Sequence, residues 1–347
     1  MSAQKNKKQF NADVIPLEKE YRFSGPDENN RIEAQFFAFN TVITLQSYDS
    51  LELCKTAFTQ ARNECRRFEL LFSRTLQHSD ISNINKARGQ EVEINGDTYY
   101  LLEAAKYYCE ESQGRFDITM GSATALWDFA EKKVPDLISL RASLEHVDWK
   151  ALLLRTEDTD HNDQRDNANR EDLGEEGKLY FARLVDPLAA LDVGGIAKGY
   201  IADSLTDLLK AAGLTSFFIN LGGNTTVAGL KPGDALWRVG IQDPSDSNAI
   251  AATVETTDVS LVTSGIYERC FGKDNKFYHH ILDTKTGFPV KTDIAGATAI
   301  TKYSLDAEGF STTLLALGLK LGKVFVKEHP EILNAIFIDL QGKVTTV

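Results

Sequence analysis

The chain of 347 residues is long enough for one large domain or two closely packed ones, and its 42% hydrophobic and 25% charged residues predict a globular protein with a sizeable core. Its formal net charge of −12 disfavours non-specific binding to nucleic acid or to an anionic membrane. The four cysteines form no C-x-x-C pair and no zinc-type cluster with histidine, so we interpret them as reduced thiols. The basic N-terminal residues precede no apolar segment, and no other run reads as long enough to span a bilayer. We therefore expect no membrane anchor and a cytoplasmic location.

The chain begins with polar residues that lack hydrophobic periodicity and predict a flexible N-terminal arm over residues 1–30. Aromatic and β-branched residues then predict a pair of strands that begins near Gln35. Apolar residues recur at spacings near three and four over residues 50–73 and indicate an amphipathic helix. A second helix is predicted from an N-cap at Asn95 to a terminal glycine at Gly114.

A strongly acidic stretch with almost no apolar side chains occupies about residues 155–178. This composition predicts a solvated insertion in a surface loop. Its aspartates lack the spacing and the glycine of an EF-hand, which disfavours a metal site there. Residues 31–347 are therefore interpreted as one domain that carries this insertion.

After the insertion, helices and strands are mixed without regular alternation, which favours an α+β fold with mixed or antiparallel sheets and flanking helices. Two helices are predicted, in IAKGYIADSLTDLLKAAG and in GFSTTLLALG. A hairpin that turns at Gln341 and Gly342 closes the chain. The remaining strands are predicted in the segments TSFFINLGG, WRVGIQDP, AATVETT, LVTSG, FYHHILD and IAGATAITK.

The segment Asp192–Gly199 reads as the end of a strand, a Gly–Gly turn and the start of a helix. The glycines let the backbone approach a ligand, and the helix that follows presents free N–H groups and a positive dipole end. Lys198 adds a positive charge in the first turn. These features suit a phosphate, although a tight turn with a solvent-facing lysine explains them equally well.

Two further turns follow predicted strands. Asn220–Asn224 contains a second Gly–Gly pair, and with the first pair it suggests two backbone-lined walls of one pocket. Thr263–Arg269 begins with a Thr-Ser-Gly turn that can offer hydroxyl and N–H groups to phosphate oxygens. The alternative for its last two residues is an ordinary ion pair between Glu268 and Arg269.

Two adjacent histidines lie in the segment Tyr278–Gly287. On a strand, His279 and His280 face opposite sides, so only one can point into a given site. His280 and Asp283 share a side only if the strand ends or bends between them, which the Thr-Lys-Thr-Gly turn permits. Beside a phosphate site, such a pair is a candidate acid–base element.

The segment Glu308–Thr312 opens the predicted helix near the C-terminus. Its first and last residues are four apart and therefore lie on one helical face. A carboxylate and a hydroxyl are hard oxygen ligands of the kind that Mg²⁺ prefers. Taken alone, the segment is better explained as a helix start with an ordinary capping acid.

These five segments have the order found in the FAD:protein FMN transferases, the ApbE-type family, which the chain resembles. The chain reads DVGGIAKGY, NLGGN, TSGIYER, HHILDTKTGFP and AEGFST where the family has D-[LV]-G-G-I-A-K-G-Y, N-x-G-G-[DN], T-S-G-x-Y-E-R, H-H-I-x-D-x-x-T-G-x-P and A-D-[AG]-x-S-T. SDISNIN, GRFDITMG and LWDF in the N-terminal half also fit. The resemblance covers about residues 35 to 345, and the fixed order of the motifs makes it specific.

The resemblance implies an FAD-binding α+β fold that uses Mg²⁺ for phosphoryl transfer. A serine or threonine of an acceptor protein would attack the FMN phosphorus, and AMP would leave. Glu308 and Thr312 match the metal-ligand positions, and the Ala197 carbonyl is the expected third ligand. Lys198 matches the lysine near the phosphates.

The resemblance also implies catalytic and FAD-binding residues. His280 matches a histidine proposed as important to catalysis; we expect it to act as the base for the acceptor hydroxyl, with Asp283 as its orienter. The expected partners are FAD and an acceptor flavoprotein with a Ser/Thr flavinylation motif, and not nucleic acid. Besides Lys198 and His280, the residues expected to line the FAD pocket are Phe39, Asp117, Gly222, Gly223, Ser264 and Gly265.

The chain departs from the family pattern at three places. Phe39-Asn40-Thr41 replaces Met-Gly-Thr, and a phenylalanine there can pack on an aromatic ring of FAD. Glu308 replaces an aspartate, and because Mg²⁺ demands near-ideal geometry the extra methylene is expected to alter metal affinity or preference. Thr284 replaces the proline of H-x-x-D-P-x-T-G.

Three other functions remain open from the sequence. An Mg²⁺-dependent FAD pyrophosphatase would use the same site with water as the acceptor. A flavin-binding carrier would keep the pocket without turnover, although it would need neither His280 nor Lys198. An unrelated α+β domain with coincidental glycine turns is disfavoured by the ordered set of motifs.

Overall fold

Residues 21–158 and 177–347 are described by the computed structural model. The helices are α1 (Leu51–Phe72), α2 (Asp80–Lys86), α3 (Gly96–Glu111), α4 (Gly121–Thr124), α5 (Leu137–Leu144), α6 (Ala197–Ala211) and α7 (Ser304–Glu328). The strands are β1 (Arg22–Ser24), β2 (Ile32–Ala38), β3 (Thr41–Ser47), β4 (Val92–Ile94), β5 (Leu152–Asp158), β6 (Lys178–Leu184), β7 (Phe217–Leu221), β8 (Asn224–Ala228), β9 (Trp237–Asp243), β10 (Asp246–Thr256), β11 (Val259–Gly265), β12 (Cys270–Lys273), β13 (Lys276–His279), β14 (Ile294–Thr301), β15 (Ile332–Asp339) and β16 (Val344–Thr346).

A nine-stranded antiparallel sheet organises the molecule, in the order β1-β2-β3-β7-β8-β11-β14-β15-β16. Smaller sheets are formed by β9–β10, by β12–β13 and by β4-β6-β5. The predicted α+β class is therefore confirmed, and so are the strand pair near Gln35, the helix over residues 50–73 and the closing hairpin.

Both faces of the large sheet are covered by other elements. Since successive side chains of a strand point to opposite faces, each strand contributes residues to two separate cores. Val262 of β11 lies in the main core beneath α1, α6 and α7, whereas its neighbour Leu261 packs on the other face against the β9–β10 hairpin. Trp237 of β9 fills that second core. This double cover explains why every residue of β14 is buried.

Helix α7 is long and apolar enough to cross a membrane, so the expectation that no run has that length is wrong. Its position explains the composition: it packs against β14, β11 and α6, and Phe310, Leu314 and Leu315 lie in the main core. The helix bends at Gly318, whose φ of +70° interrupts the helical backbone. We therefore interpret α7 as the central helix of the core.

Helices α6 and α7 touch at Gly199, and this contact positions the site. A Cβ atom at Gly199 would lie 2.7 Å from the carbonyl oxygen of Ser304 and 2.8 Å from Cβ of Glu308. Only glycine therefore permits this approach. The contact sets the first turn of α6 beside the first turns of α7.

Several boundaries differ from the sequence predictions. Helix α7 begins at Ser304, so Glu308 lies in its second turn and does not open the helix as predicted. Residues 22–24, expected in the flexible arm, form β1 and pair with β2, while residues 1–20 lie outside the described residues. Residues 155–158 and 178, expected in the acidic insertion, belong to the β5–β6 ladder, and residues 159–176 lie outside the described residues. The strand expected just before Gly194 is reduced to one bridge between Ala190 and Met120.

Candidate active site

A buried carboxylate lies at the centre of the site. Glu308 is 5% exposed, its Oε1 accepts a 2.6 Å hydrogen bond from Nζ of Lys198, and its Oε2 accepts one of 2.6 Å from Nδ2 of Asn224. A buried charge is costly unless it is paired and fully hydrogen-bonded, and here both oxygens have partners. The first, second and fifth motifs of the sequence therefore meet at one carboxyl group.

A second set of hydrogen bonds holds the start of α7. Ser304 donates from Oγ to Oδ1 of Asn224 at 2.8 Å. Asp203 of α6 accepts from the backbone N–H groups of Ser304 at 2.7 Å and Leu305 at 2.8 Å, and so supplies the cap that the side chain of Tyr303 does not. Burial raises the pKa of Asp203 to about 6.

Sequence reasoning gave no role to Asn224, Asp203 or Ser304. The spacing gives no signal for Asp203, because a residue two positions from both Ile201 and Leu205 lies on the other side of the helix from the predicted buried face. Asn224 stands at the end of the second motif, but its direction depends on β8, a strand that the sequence did not predict.

Three hydroxyl groups cluster between β11 and α7, about one helical turn beyond Glu308. Oγ of Ser264 is 2.9 Å from Oγ of Ser311 and 3.2 Å from Oγ1 of Thr312. The Thr-Ser-Gly segment thus meets the helix that carries Glu308. A Cβ atom at Gly265 would lie 2.3 Å from the ring of Tyr267, so the glycine makes room for that ring.

The Gly222–Gly223 turn offers space rather than free donors. Both N–H groups donate to Oδ1 of Asn220, at 2.9 and 3.2 Å, and both glycines have positive φ (66° and 95°). A Cβ atom at Gly222 would overlap the side chain of Thr41, since β3 pairs with β7. The Gly222–Gly223 turn and the turn between β2 and β3 consequently lie side by side at one end of these strands.

Phe39 begins the neighbouring turn between β2 and β3. It has a φ of +52° and is followed by Asn40 at +59°, and its N–H donates to Oε1 of Glu69 at 2.7 Å. The Phe39 ring is half-buried and packs against the main core. Its expected contact with FAD stays a prediction.

His280 lies directly after β13, where the strand ends. Its N–H donates to the carbonyl oxygen of Arg269 at 3.0 Å, and its Nδ1 atom is buried without a hydrogen-bond partner in the described part of the chain. Burial and, secondarily, the charge of Arg269 lower the pKa of His280 to about 3. The imidazole is therefore neutral at neutral pH and can accept a proton. His279 instead contacts the carbonyl oxygen of Val290 at 3.2 Å.

Asp283 is engaged by the turn that follows. Its Oδ1 accepts from the N–H groups of Lys285 at 3.0 Å and Thr286 at 2.8 Å, and among the described contacts none joins it to His280. These contacts do not support the orienting role expected for Asp283. Thr284, which replaces the family's proline, donates from Oγ1 to the carbonyl oxygen of Gly114 at 2.6 Å and ties the turn to the end of α3.

Asp117 likewise holds a turn. Its Oδ1 accepts from the N–H of Thr119 at 2.8 Å and from its hydroxyl at 2.6 Å, while Oδ2 accepts from the N–H of Trp149 at 3.3 Å. Burial raises the pKa of Asp117. Its oxygens are thus engaged both in its own turn and in a long-range bond to Trp149, and a direct contact with FAD stays a prediction.

The three expected metal donors lie in the N-terminal halves of α6 and α7. Glu308 and Thr312 lie one turn apart on α7, and Ala197 begins α6 with its N–H donating to the carbonyl oxygen of Val193 at 2.9 Å. Across residues 21–158 and 177–347, no three His, Cys, Asp or Glu side chains converge as a metal site. A magnesium site here would depend on hydroxyl, carbonyl and substrate oxygens for its other ligands.

An antiparallel α+β domain in which a partly exposed lysine pairs with a buried glutamate, and which also carries glycine turns and a neutral histidine, has features that suit the binding of phosphate groups. The chain belongs to the ApbE family, whose family model matches residues 39–337. It is 33% identical over 282 residues to the FAD:protein FMN transferase of Treponema pallidum, covering 78% of this chain and 73% of that protein. A protein of the same name from Klebsiella pneumoniae is 30% identical, with 79% of each chain covered. The crystal structure of the ApbE protein from Thermotoga maritima superposes with a TM-score of 0.77 at 26% identity, covering 91% of this chain and 96% of that one.

Proposed function

We propose that this protein is an Mg²⁺-dependent FAD:protein FMN transferase, which cleaves the pyrophosphate of FAD, attaches FMN to a serine or threonine of a target flavoprotein and releases AMP. The observation that carries this proposal is the cluster of Lys198, Glu308 and Asn224 in a chain of the ApbE family. The neutral His280 lies near this cluster, since, besides burial, the charge of Lys198 contributes to lowering its pKa. The names of the Treponema and Klebsiella relatives support the same reaction.

The residues at Glu308 suit Mg²⁺ in kind. They supply a carboxylate and neighbouring hydroxyls, the hard oxygen donors that this ion takes. Lys198 now neutralises the Oε1 atom, so a metal ion at that atom requires the ammonium group to move away, toward the phosphates. When bound, the ion would lower the charge of the pyrophosphate and stabilise the transition state.

The reaction needs a base, a leaving group and charge neutralisation. The acceptor hydroxyl oxygen forms a bond to the FMN phosphorus, the P–O bond to AMP breaks, and the hydroxyl proton passes to an imidazole nitrogen of His280. A pKa of about 3 makes His280 a weak base in the free protein, but anionic phosphates beside it favour its protonated form and raise that pKa. Lys198 and Arg269 offset the phosphate charge.

The acceptor and the location are proposed from the state of the cysteines. All four cysteines are free thiols, and three of them, Cys54, Cys65 and Cys109, are buried, as expected for a reducing compartment. We propose a cytoplasmic flavoprotein as the acceptor.

The test is incubation with FAD and Mg²⁺, with and without a peptide that carries a Ser/Thr flavinylation motif, followed by measurement of AMP and peptide mass. A gain of one FMN on the peptide with matching AMP is the expected result. Equal AMP and free FMN regardless of peptide would identify a pyrophosphatase instead. FAD binding without either product would identify a carrier.

A further inference from the structure

The segment 269–291 differs in charge from the rest of the chain. It contains five lysine or arginine residues and two aspartates, a formal net charge of +3 in a protein of −12. None of the five basic side chains has an ion-pair or hydrogen-bond partner within residues 21–158 and 177–347. The five exposed cations are Arg269, Lys273, Lys276, Lys285 and Lys291.

The β12–β13 hairpin contributes Lys273 and Lys276, with Asp274 between them in the turn, a formal net charge of +1. One of its faces is covered, and the other is open near the tip, whereas His279 at the base of that second face is buried. Phe271 and Tyr278 stack at 5.2 Å between ring centroids and lie on the covered face, against a small core around Trp127. On the open face, Phe277 is 53% exposed opposite Gly272, where an added Cβ would meet no atom within 4 Å. An exposed aromatic ring beside open surface can supply the apolar contact of a protein interface, in which aromatic residues are enriched.

The base of this hairpin lies at His280, the proposed catalytic base. Arg269 precedes β12, His280 follows β13, and the backbone hydrogen bond between them closes the ladder. The lysines at the tip lie four residues further along, a distance of about 13 Å at the rise of a strand. A polypeptide that contacts the tip can therefore reach His280, whereas the phosphates of FAD are expected at Lys198.

We propose that the β12–β13 hairpin and the turn after it bind an acidic segment of the acceptor protein and present its hydroxyl group to His280. This inference rests on the proposed function and names the chemistry of its protein substrate. The rest of the surface repels an acidic partner on average, so a local positive surface beside the site both attracts and orients it. Phe277 supplies the apolar contact.

The test compares two double variants with the same change of charge. The variant Lys273→Glu/Lys276→Glu reverses the charge of both lysines at the hairpin tip. The control, Lys320→Glu/Lys343→Glu, makes the same change at two exposed lysines elsewhere, one on α7 and one in the β15–β16 turn. The probes are a fluorescent Ser/Thr-motif peptide flanked by Asp and Glu, its counterpart with Asn and Gln, and FAD. Fluorescence anisotropy reports peptide binding without requiring turnover.

The hairpin variant is expected to bind the acidic peptide about ten-fold more weakly than the wild type, with unchanged affinity for FAD and for the neutral peptide. The control should bind all three probes as the wild type does, and Phe277→Ala should weaken both peptides. Equal peptide affinity in the two double variants overturns the proposal, as does a loss of FAD affinity that matches the loss for the peptide. A wild-type protein that binds the peptide but never transfers FMN would count against the proposed function and not against the docking surface.

Discussion

Lys198 donates a 2.6 Å hydrogen bond from Nζ to Oε1 of Glu308, joining the first turn of α6 to α7 across 110 positions of the sequence. The Glu308 side chain is 6% exposed and that of Lys198 26%, so the pair is only partly screened by solvent. The contact exists because Gly199 lets the two helices touch. It places the cation of the first motif on the carboxylate of the fifth.

Lys198→Met should leave this carboxylate buried with a single partner. We expect the free energy of unfolding to fall by about 1–3 kcal/mol, because an unpaired buried charge is costly. The rate of AMP release should fall by at least about a hundred-fold, because the phosphates lose a cation. Lys210→Met, the same substitution in the last turn of α6, should change neither quantity. Wild-type stability in Lys198→Met would show that the ion pair contributes little.

Substitutions at Glu308 should separate the effect of its negative charge on Mg²⁺ dependence from the effect of its side-chain length. Glu308→Gln keeps a similar shape but removes the charge, and it should abolish the dependence of AMP release on Mg²⁺ together with most activity. Glu308→Asp, the family's residue, should remain active with a changed Mg²⁺ half-saturation, because the carboxylate retreats by one methylene. A magnesium titration of each variant measures this. An unchanged titration curve for Glu308→Gln would place the metal elsewhere.

Removing the imidazole should reduce transfer far more than it reduces FAD binding. For His280→Asn we expect a loss of about 10²–10⁴-fold in FMN transfer to peptide, the usual contribution of a general base. FAD affinity, followed by flavin fluorescence, should fall by about ten-fold at most, because a pocket residue contributes to binding but the base acts mainly in the transition state. His78→Asn is the matched control, since His78 is exposed and has a φ of +69° that asparagine tolerates. Transfer at the wild-type rate in His280→Asn would exclude the base role.

The same histidine should make stability depend on pH in a defined direction. Its pKa is lowered from 6.5 to about 3, so between these values the unfolded chain binds a proton that the folded protein does not. The stability of the folded state must then fall as the pH falls from about 6.5 toward 3. Urea unfolding at about pH 6.5 and pH 4 should show a steeper loss for the wild type than for His280→Asn. Parallel curves would mean that the ring is freely protonated in the folded protein.

Asp203 should contribute pH dependence of the opposite sign. Its pKa is raised from 3.8 to about 6, so the folded protein retains a proton that the unfolded chain releases, and stability falls as the pH rises through this window. The stability of the wild type relative to Asp203→Asn should therefore decrease between about pH 4 and pH 6. A constant difference between the two proteins would contradict this.

Asp203→Ala tests the structural role of the same side chain. It removes the cap of α7 and should lower the free energy of unfolding by about 1–2 kcal/mol. Transfer activity should also fall, because Glu308 loses its fixed position. Thermal unfolding and AMP release measure the two effects, and Asp207→Ala on the same helix is the control.

Much of the fold was predictable because its signals are local. The apolar spacing of α1, the β-branched strands β2 and β3 and the glycine turns each follow from neighbouring residues. The order of the five motifs, a property of the sequence alone, led to the ApbE family. Residues 22–24 were missed because an edge strand of three residues has too short a pattern and depends on its partner β2.

The sequence by itself determined which chemical groups the protein carries at its site: a lysine after two glycines, a carboxylate one helical turn before a hydroxyl, and a histidine at a strand end. Only the tertiary structure decided which of them meet. Asn224 and Lys198 converge on Glu308, whereas Asp283 and Asp117 hold their own turns. The physical reason is that hydrogen bonding within a turn is set by residues two or three apart, while the pairing of a buried charge depends on how helices far apart in sequence pack against one another.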